Sequence, residues 1–257
     1  MPVLLRAVLG AEVRAHPIGR GIVLGESVGE SIWGIWGIRR IFPHIPEGGN
    51  VWKKPISLHR VPRFARKVQG VIMFPTTHDI TEDNLLECAE YLESILRPGN
   101  DVLVVTKPHY QCGEYLLRRL GPWRSQVEWR MTITARDDAL LEYWEPGAPT
   151  YGDRCDALSE ANLAGYRTSV SIEPMLDPED LDGLLKDLLP AVNGTIWVGK
   201  MNHVRQRVKV TTSRDRRQVQ RIEEQQTDQK IMEIVSTFKS IGQIRCTKTS
   251  GCPDVPA

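Results

Sequence analysis

The sequence predicts an α/β fold in which mostly parallel strands form a partial (β/α) barrel of the TIM type. From Gly70 onward, short apolar runs without polar alternation recur along the chain, as expected for strands buried on both faces of a parallel sheet. A segment with helical periodicity follows almost every run. This alternation of strand and helix is typical of a parallel sheet covered by helices.

The regular region begins with the strand 71–74, which Pro75 ends. A helix is predicted from near Thr81, with Thr81 as its N-cap, to Leu96, because leucines recur there at helical spacing. The elements predicted after it are, in order, strand 101–106, helix 111–120, strand 126–134, helix 151–163, strand 168–172, helix 179–189, strand 195–199, one charged helix 215–239 and a last strand 243–247. Strand 126–134 alternates, so one of its two faces is expected to point into the barrel.

Three regions are predicted along the chain. Residues 1–69 form an irregular N-terminal region, residues 70–248 form the partial barrel, and residues 249–257 form a C-terminal tail. Within the first region, 19–25 is a candidate strand between glycines. The glycines and tryptophans of Ser31–Ile38 and four later prolines keep the rest irregular, which leaves open whether this region is a native, aberrant or truncated barrel start.

The charge balance excludes some classes of partner. The chain of 257 residues has 33 basic and 32 acidic residues and a net charge of +1. Bulk charge therefore gives no reason to expect binding to nucleic acid or to an acidic membrane, although a local basic patch stays open. No segment resembles an export signal or a membrane span, and we expect a cytoplasmic protein.

Five cysteines are spread through the chain, an odd number in a chain too long to depend on disulfides. We therefore expect reduced thiols. Cys88 falls within a predicted helix and is explained by core packing. Cys246 and Cys252, with five residues between them and no second pair nearby, are a weak metal signal, and we predict no metal ligands.

Polar side chains lie where the predicted strands end. They follow or close the first four strands, and seven of them are candidate ligand-binding residues. These are Thr76, Thr77, His78, Asp79, Lys107, Thr132 and Glu173. Because the carboxyl ends of parallel strands meet at one rim, we expect these groups to gather there. Hydroxyls, a cation and carboxylates together suit a zwitterionic or phosphorylated small ligand.

Single residues at this rim also have structural explanations. His78 could bind a metal or act as a base, or it could bond to a loop carbonyl. Lys107 could bind a carboxylate of the ligand, or form a salt bridge with Glu173. Arg154 could pair with Glu145 or Asp153 and serve only the fold. The sequence leaves these alternatives open.

Five strand-end segments, taken together and in order, resemble a branch of the radical S-adenosylmethionine superfamily, the spore photoproduct lyase-like proteins. These segments are 73–80, 105–109, 144–149 with Arg154, 169–175 and 196–202. The resemblance covers about residues 68–205, with a weaker continuation to about 248. Several successive motifs are more specific than any one of them.

The resemblance implies a partial barrel that holds a 4Fe-4S cluster. The cluster reductively cleaves S-adenosylmethionine to a 5'-deoxyadenosyl radical, which abstracts a hydrogen from the substrate. By the same resemblance, the loop Thr76–Asp79 holds the methionine end of the cofactor. Lys107, Thr132 and Glu173 line the cofactor or substrate cavity.

The sequence departs from this family at the cluster. The family binds iron through three cysteines in Cys-x3-Cys-x2-Cys spacing upstream of the segment that matches Gly70, but no cysteine precedes Cys88. Glycine and tryptophan cannot replace thiolate ligands. Three explanations are open: an aberrant or truncated N-terminal region, a barrel that has lost its cluster, or a cluster supplied by a partner.

The sequence and its resemblance are consistent with functions of different classes. One is S-adenosylmethionine cleavage and hydrogen abstraction from an unknown substrate, if a cluster can be bound. The alternative is a cluster-less pseudoenzyme, a barrel that binds a nucleotide-like ligand or a partner protein, or a fragment of a radical S-adenosylmethionine enzyme. A nucleic-acid repair role rests on the lyase analogy and on two basic runs, Arg60–Lys67 and Arg205–Arg217. The oligomeric state is not predicted.

Overall fold

The computed structural model describes residues 22–24, 66–75 and 78–246. Its seven strands are β1 (Ile22–Leu24), β2 (Val71–Phe74), β3 (Asp101–Thr106), β4 (Val127–Thr132), β5 (Arg167–Ile172), β6 (Ile196–Val198) and β7 (Ile244–Cys246). Its helices are α1 (Leu85–Leu96), α2 (Tyr110–Arg119), α3 (Asp138–Trp144), α4 (Tyr151–Leu163), α5 (Leu181–Leu188), α6 (Val204–Arg207), α7 (Ser213–Gln225) and α8 (Asp228–Phe238). The strands of the regular region lie within one or two residues of their predicted bounds.

The strands form one sheet in the order of the sequence, from β1 to β7. Each neighbouring pair from β2 to β7 is parallel, whereas β1 runs antiparallel to β2. Six parallel strands with connecting helices make an α/β fold, and among the described residues the sheet does not close on itself. The predicted partial barrel is therefore confirmed.

The main hydrophobic core lies between the sheet and the helices. Alternate residues of β4 show how the sequence builds it: Val127, Trp129 and Met131 are at most 2% exposed and belong to this core. Residues between them point to the opposite face, because side chains alternate along a strand. The concave face of the sheet is therefore lined by Glu128, Arg130 and their neighbours.

A second, smaller apolar cluster lies beyond the carboxyl ends of the strands. It joins α3, which follows β4, to Leu176 after β5 and Met201 after β6. Val219 and Ile222 of α7 complete it. Gln226, just after α7, accepts a hydrogen bond from the Met201 backbone N–H at 2.7 Å and donates one to the Met175 carbonyl at 2.6 Å. Helix α7 is thereby fixed across the rim.

Two predicted helices differ from the observed ones. Helix α1 begins at Leu85 and not near Thr81, because Asn84 accepts a hydrogen bond from the Thr81 backbone N–H at 2.9 Å and stabilises a turn there. Helix 215–239 is two helices, since Thr227 caps α8 by accepting from the Lys230 backbone N–H. Helix α3, capped by Asp137, lies between two predicted elements, in a segment for which the sequence predicted neither helix nor strand.

No helix among residues 78–246 is long and apolar enough to cross a membrane. The predicted cytoplasmic location stays a prediction. Within residues 1–69, only 22–24 and 66–69 are described, and most of the predicted irregular region, with the run Arg60–Lys67 up to residue 65, lies outside the described residues. The C-terminal tail 249–257 lies outside them as well.

Packing of α1 on the sheet gives the first prediction. Leu92 is fully buried, and we expect Leu92→Ala to lower the free energy of unfolding by about 2–5 kcal/mol because it removes buried methyl groups and leaves a cavity. Leu163 is 84% exposed at the end of α4, and Leu163→Ala should change it by less than about 0.5 kcal/mol. Urea unfolding followed by circular dichroism measures both, and equal losses would contradict the position of α1.

Candidate functional site

The rim at the carboxyl ends of β2 to β5 carries the side chains that the sequence singled out. Thr76 and Thr77 lie outside the described residues. The other five are described, and they fall into three groups: Asp79 with Lys107, Thr132 with the segment after α3, and Glu173 with β5. His78 lies beneath the first group.

Asp79 and Lys107 join the loop after β2 to the end of β3. The Asp79 carboxylate accepts hydrogen bonds from the Lys107 backbone N–H at 2.7 Å, from the Lys107 ammonium at 3.3 Å and from the Thr106 hydroxyl at 3.2 Å. Thr106 also accepts from the Ile80 backbone N–H at 3.1 Å. The Asp79 carboxylate therefore holds two neighbouring strand ends at a fixed separation.

The charge of Asp79 is stabilised where it lies. Burial by itself raises the pKa of the Asp79 carboxyl, but the Lys107 ammonium and two hydrogen bonds from Lys107 outweigh burial, so that its pKa lies below the ordinary value of 3.8. Arg154 contributes to the same lowering.

His78 packs beneath the rim. Its Nε2 lies 3.6 Å from Cys88 Sγ, and its ring meets Phe74 edge-on with 5.9 Å between ring centroids. Burial raises the pKa of the Cys88 thiol to about 12, so this group is a neutral thiol in the core, as predicted. His78 is 6% exposed and packs through these contacts, and its predicted role in cofactor binding stays a prediction.

A buried ion pair supports the end of β4. Arg154 Nη1 lies 2.7 Å from Glu145 Oε2, and both side chains are almost fully buried. Arg154 also donates to the Pro149 carbonyl at 2.9 Å and to the Thr132 carbonyl at 3.3 Å, while Thr134 donates to Glu145 at 3.2 Å. The predicted pairing of Arg154 with Glu145 is therefore observed.

Lys107 and Thr132 lie at the same level of the sheet. Thr106 pairs with Met131 of β4, and Thr132 pairs with Ser171 of β5. Lys107 is thus level with Thr132 and Ser171. Glu173 follows two residues after Ser171, which donates a hydrogen bond to it at 3.4 Å. A cation, a carboxylate and hydroxyls are therefore brought to one rim, as the sequence predicted.

The concave face below this rim carries a polar network. Glu128 accepts hydrogen bonds from Arg130 at 3.2 Å and from Ser169 at 2.7 Å, and it pairs with Arg167 at 3.1 Å. The Arg130 guanidinium stacks over the Trp197 ring at 5.4 Å. Burial lowers the pKa of Arg130, against the opposing effect of Glu128 and Glu173. This network gives the cavity side of the sheet fixed charge.

Sequence reasoning did not assign this network to the site. The alternation of residues 126–134 did place Glu128 and Arg130 on the same face of the predicted strand. Their partners lie on β5 and β6, about 40 residues or more along the chain, and strand register alone brings them together.

The described residues do not fit an iron–sulfur cluster. Among residues 78–246, no three His, Cys, Asp or Glu side chains are grouped to hold a metal ion. Cys88 and Cys112 are buried on helices α1 and α2, and burial raises the pKa of each thiol to about 12, whereas a cluster needs thiolates. Cys252 lies outside the described residues.

No protein-family model matches the chain, and no curated protein matches it. Among solved structures, Streptococcus suis SuiB bound to S-adenosylmethionine is 10% identical, with a TM-score of 0.49, over 70% of this chain and 40% of that chain. A spore photoproduct lyase mutant with dinucleoside spore photoproduct is 16% identical, with a TM-score of 0.46, over 71% and 62%. Dihydrodipicolinate synthase from Bacteroides thetaiotaomicron is 11% identical, with a TM-score of 0.35, over 69% and 61%.

These similarities concern the fold, and the chain spans about two fifths of the length of SuiB. The strand pairing itself defines the class of protein: an α/β partial barrel with a polar rim at the carboxyl ends of its parallel strands.

The Asp79–Lys107 ion pair predicts a pH dependence. Since the pKa of Asp79 is lowered on folding, its contribution to stability is present above the unfolded pKa of 3.8 and is lost as the pH falls through the lower folded value. We expect Asp79→Asn to cost about 1.5–3 kcal/mol at neutral pH. Wild type and variant should converge only as the pH falls below the folded pKa of Asp79, which lies under 3.8, as measured by urea unfolding across pH.

The exposed Asp182 on α5 supplies the control for this measurement. Asp182 forms only an exposed pair with Lys186, so Asp182→Asn should stay within about 1 kcal/mol of wild type at every pH. A loss for Asp79→Asn that stays the same down to acid pH would contradict the ion pair as its cause.

The Glu145–Arg154 pair predicts a non-additive result. Arg154→Met alone should cost about 3–5 kcal/mol, because it leaves the Glu145 charge buried without its cation. Adding Glu145→Leu should recover part of that loss, since the double variant buries neither charge. Chemical unfolding of the two single variants and the double variant measures the coupling, and additive losses would show that the two side chains act separately.

Proposed function

We propose that the described barrel binds S-adenosylmethionine at the rim formed by the carboxyl ends of β2 to β5. In this proposal the chain does not assemble a 4Fe-4S cluster from its own cysteines. The protein is then the cluster-less alternative, a radical S-adenosylmethionine-like barrel without its cluster.

One observation carries the proposal: the register places Lys107, Thr132 and Ser171 at one level of the sheet, with Glu173 two residues above Ser171. The methionine end of S-adenosylmethionine has a carboxylate and an ammonium group. A cation and a carboxylate on neighbouring strands offer the opposite charges, and the hydroxyls supply neutral hydrogen bonds. The strand-end motifs of the sequence support the same ligand.

The described residues have different roles in the proposed binding. The Lys107 ammonium is the group for the ligand carboxylate, and Glu173 is the group for its ammonium. Asp79 acts by holding Lys107, with which it is bonded at 2.7 and 3.3 Å. The predicted contributions of Thr76 and Thr77 fall outside the described residues and stay predictions.

Radical chemistry has no support from the cysteines of this chain. The sequence places none before Cys88, and the described thiols do not fit a cluster. An intermolecular source of the cluster stays compatible with binding of S-adenosylmethionine at the rim. Hydrogen abstraction is therefore not part of the proposed function.

A barrel that binds another nucleotide-like ligand is the second candidate. It uses the same rim, and the Arg130–Glu128 network favours it because that network adds fixed charge deeper on the concave face. The two candidates differ in whether the methionine moiety is recognised. Titration with S-adenosylmethionine and with adenosine separates them, since adenosine lacks both charged groups that Lys107 and Glu173 would contact.

We expect isothermal titration calorimetry to show S-adenosylmethionine binding to the purified full chain. Glu173→Gln should raise Kd by roughly ten- to a hundredfold, because one charge-assisted interaction is lost. The exposed Glu142 on α3 is the matched control, and Glu142→Gln should bind like wild type. Absence of binding by the folded wild type, or equal affinity for adenosine, would contradict the proposal.

Anaerobic iron–sulfur reconstitution tests whether this chain assembles a cluster from its own cysteines. Iron content and visible absorption should not exceed those of a variant in which Cys88 and Cys112 are replaced by alanine, and no 5'-deoxyadenosine should form. A cluster with its product would restore the enzyme hypothesis without affecting the binding site.

A further inference from the structure

Helix α7 crosses the rim of the barrel and presents a strongly basic surface. Its Val219 and Ile222 pack on the second apolar cluster. At its other side, Arg221 pairs with Asp177 after β5 at 2.7 Å. Four cations are exposed on the first half of the helix and on the segment just before it: Lys209, Arg214, Arg216 and Arg217. We call these four residues the basic ridge.

No carboxylate among the described residues lies within ion-pair distance of the basic ridge. The other basic residues nearby are engaged: Lys200 pairs with Asp228, and Arg205 pairs with Glu223. Arg214 stacks over the Tyr143 ring at 4.8 Å, which orients the guanidinium but leaves its charge. The ridge is therefore a local excess of positive charge on a chain whose net charge is +1.

Helix stability does not explain these cations. Arg214, Arg216 and Arg217 occupy the first five residues of α7, where the helix dipole favours acidic side chains and disfavours basic ones. Arg214 and Arg217 are three residues apart and so share one face of the helix. The sequence concentrates arginine at the end of the helix where it helps folding least.

A buried carboxylate holds the ridge in place. Asp215 accepts hydrogen bonds from the Tyr143 hydroxyl at 2.6 Å, from the Thr211 hydroxyl at 2.8 Å and from the Thr212 backbone N–H at 2.9 Å. It also completes a capping box with Thr212. The first turn of α7 is thus fixed to α3, and the arginines project from a rigid base.

We propose that the basic ridge is a docking surface for the sugar–phosphate backbone of a nucleic acid. Arginine presents a planar fork of N–H donors that matches phosphate oxygens. Exposed Thr211, Ser213 and Gln220 lie among the arginines, and hydroxyl and amide side chains are common phosphate contacts. The surface contacts the backbone without reading sequence.

Other polyanions fit this surface less well. A membrane-binding helix places several large apolar or aromatic side chains beside its cations. The neighbours of these arginines on α7 are Ser213, Gln218 and Gln220, and the exposed Val210 beside Lys209 is a single apolar side chain. The inference depends on the charge pattern of α7, and it is independent of whether the rim binds S-adenosylmethionine.

Fluorescence anisotropy with a labelled DNA duplex and with RNA of the same sequence tests the proposal. The full chain is used without S-adenosylmethionine, and salt is varied. We expect salt-dependent binding of wild type. Arg214→Gln combined with Arg217→Gln should weaken binding to every sequence and reduce the slope of log K against log salt by about 2, because two phosphate contacts are lost.

A matched double variant controls for net charge. Arg97 and Arg118 are exposed, and they lie at the carboxyl ends of α1 and α2, which connect to the opposite end of the sheet. Arg97→Gln combined with Arg118→Gln should keep the wild-type affinity and slope. Thermal unfolding checks that both double variants are folded.

The proposal is supported if wild type binds DNA or RNA and only the Arg214/Arg217 double variant loses affinity. The nucleic acid with the lower Kd is then the class that the ridge binds. Three results would overturn it: no salt-dependent binding by wild type, the same loss in both double variants, or equally tight binding of polyglutamate or of vesicles rich in anionic lipid.

Discussion

The parallel alignment of β2 to β7 is the constraint on which the site depends. In a parallel sheet each strand end lies beside the next, so polar residues placed after successive strands become neighbours although they are dozens of residues apart in sequence. Lys107, Thr132 and Ser171 are level for this reason. A shift of one residue in any pairing would turn a side chain to the helix-covered face and remove it from the rim.

Buried charges keep the rim in this arrangement. Asp79 ties the loop after β2 to β3, and Arg154 ties the segment after α3 to the Thr132 carbonyl. Burying such groups is costly unless each is matched, and here each carboxylate meets a cation and hydrogen-bond donors. Asp79 and Lys107, which the sequence offered as ligand contacts, are therefore also structural, because their ion pair joins two neighbouring strand ends.

Local patterns predicted the strands and much of the rim, since buried apolar runs and the polar residues that end them lie close together in sequence. They did not predict the break at Thr227 or the helix start at Leu85. Both depend on side chains, Thr227 and Asn84, that bond to nearby backbone in competition with a longer helix. Two other partners of Arg130, Ser169 and Trp197, were also beyond prediction, because strands distant in sequence bring them beside it.

The lengths of the outer strands bear on self-association. Among the described residues, the sheet is bordered by β1 and β7, and each has three residues. A strand exposed at the edge of a sheet offers unpaired backbone groups to another chain, and short edges offer few of them. Within the part of the chain that the structure describes, neither border is long enough to act as a template for aggregation, so six parallel strands can form an open sheet there.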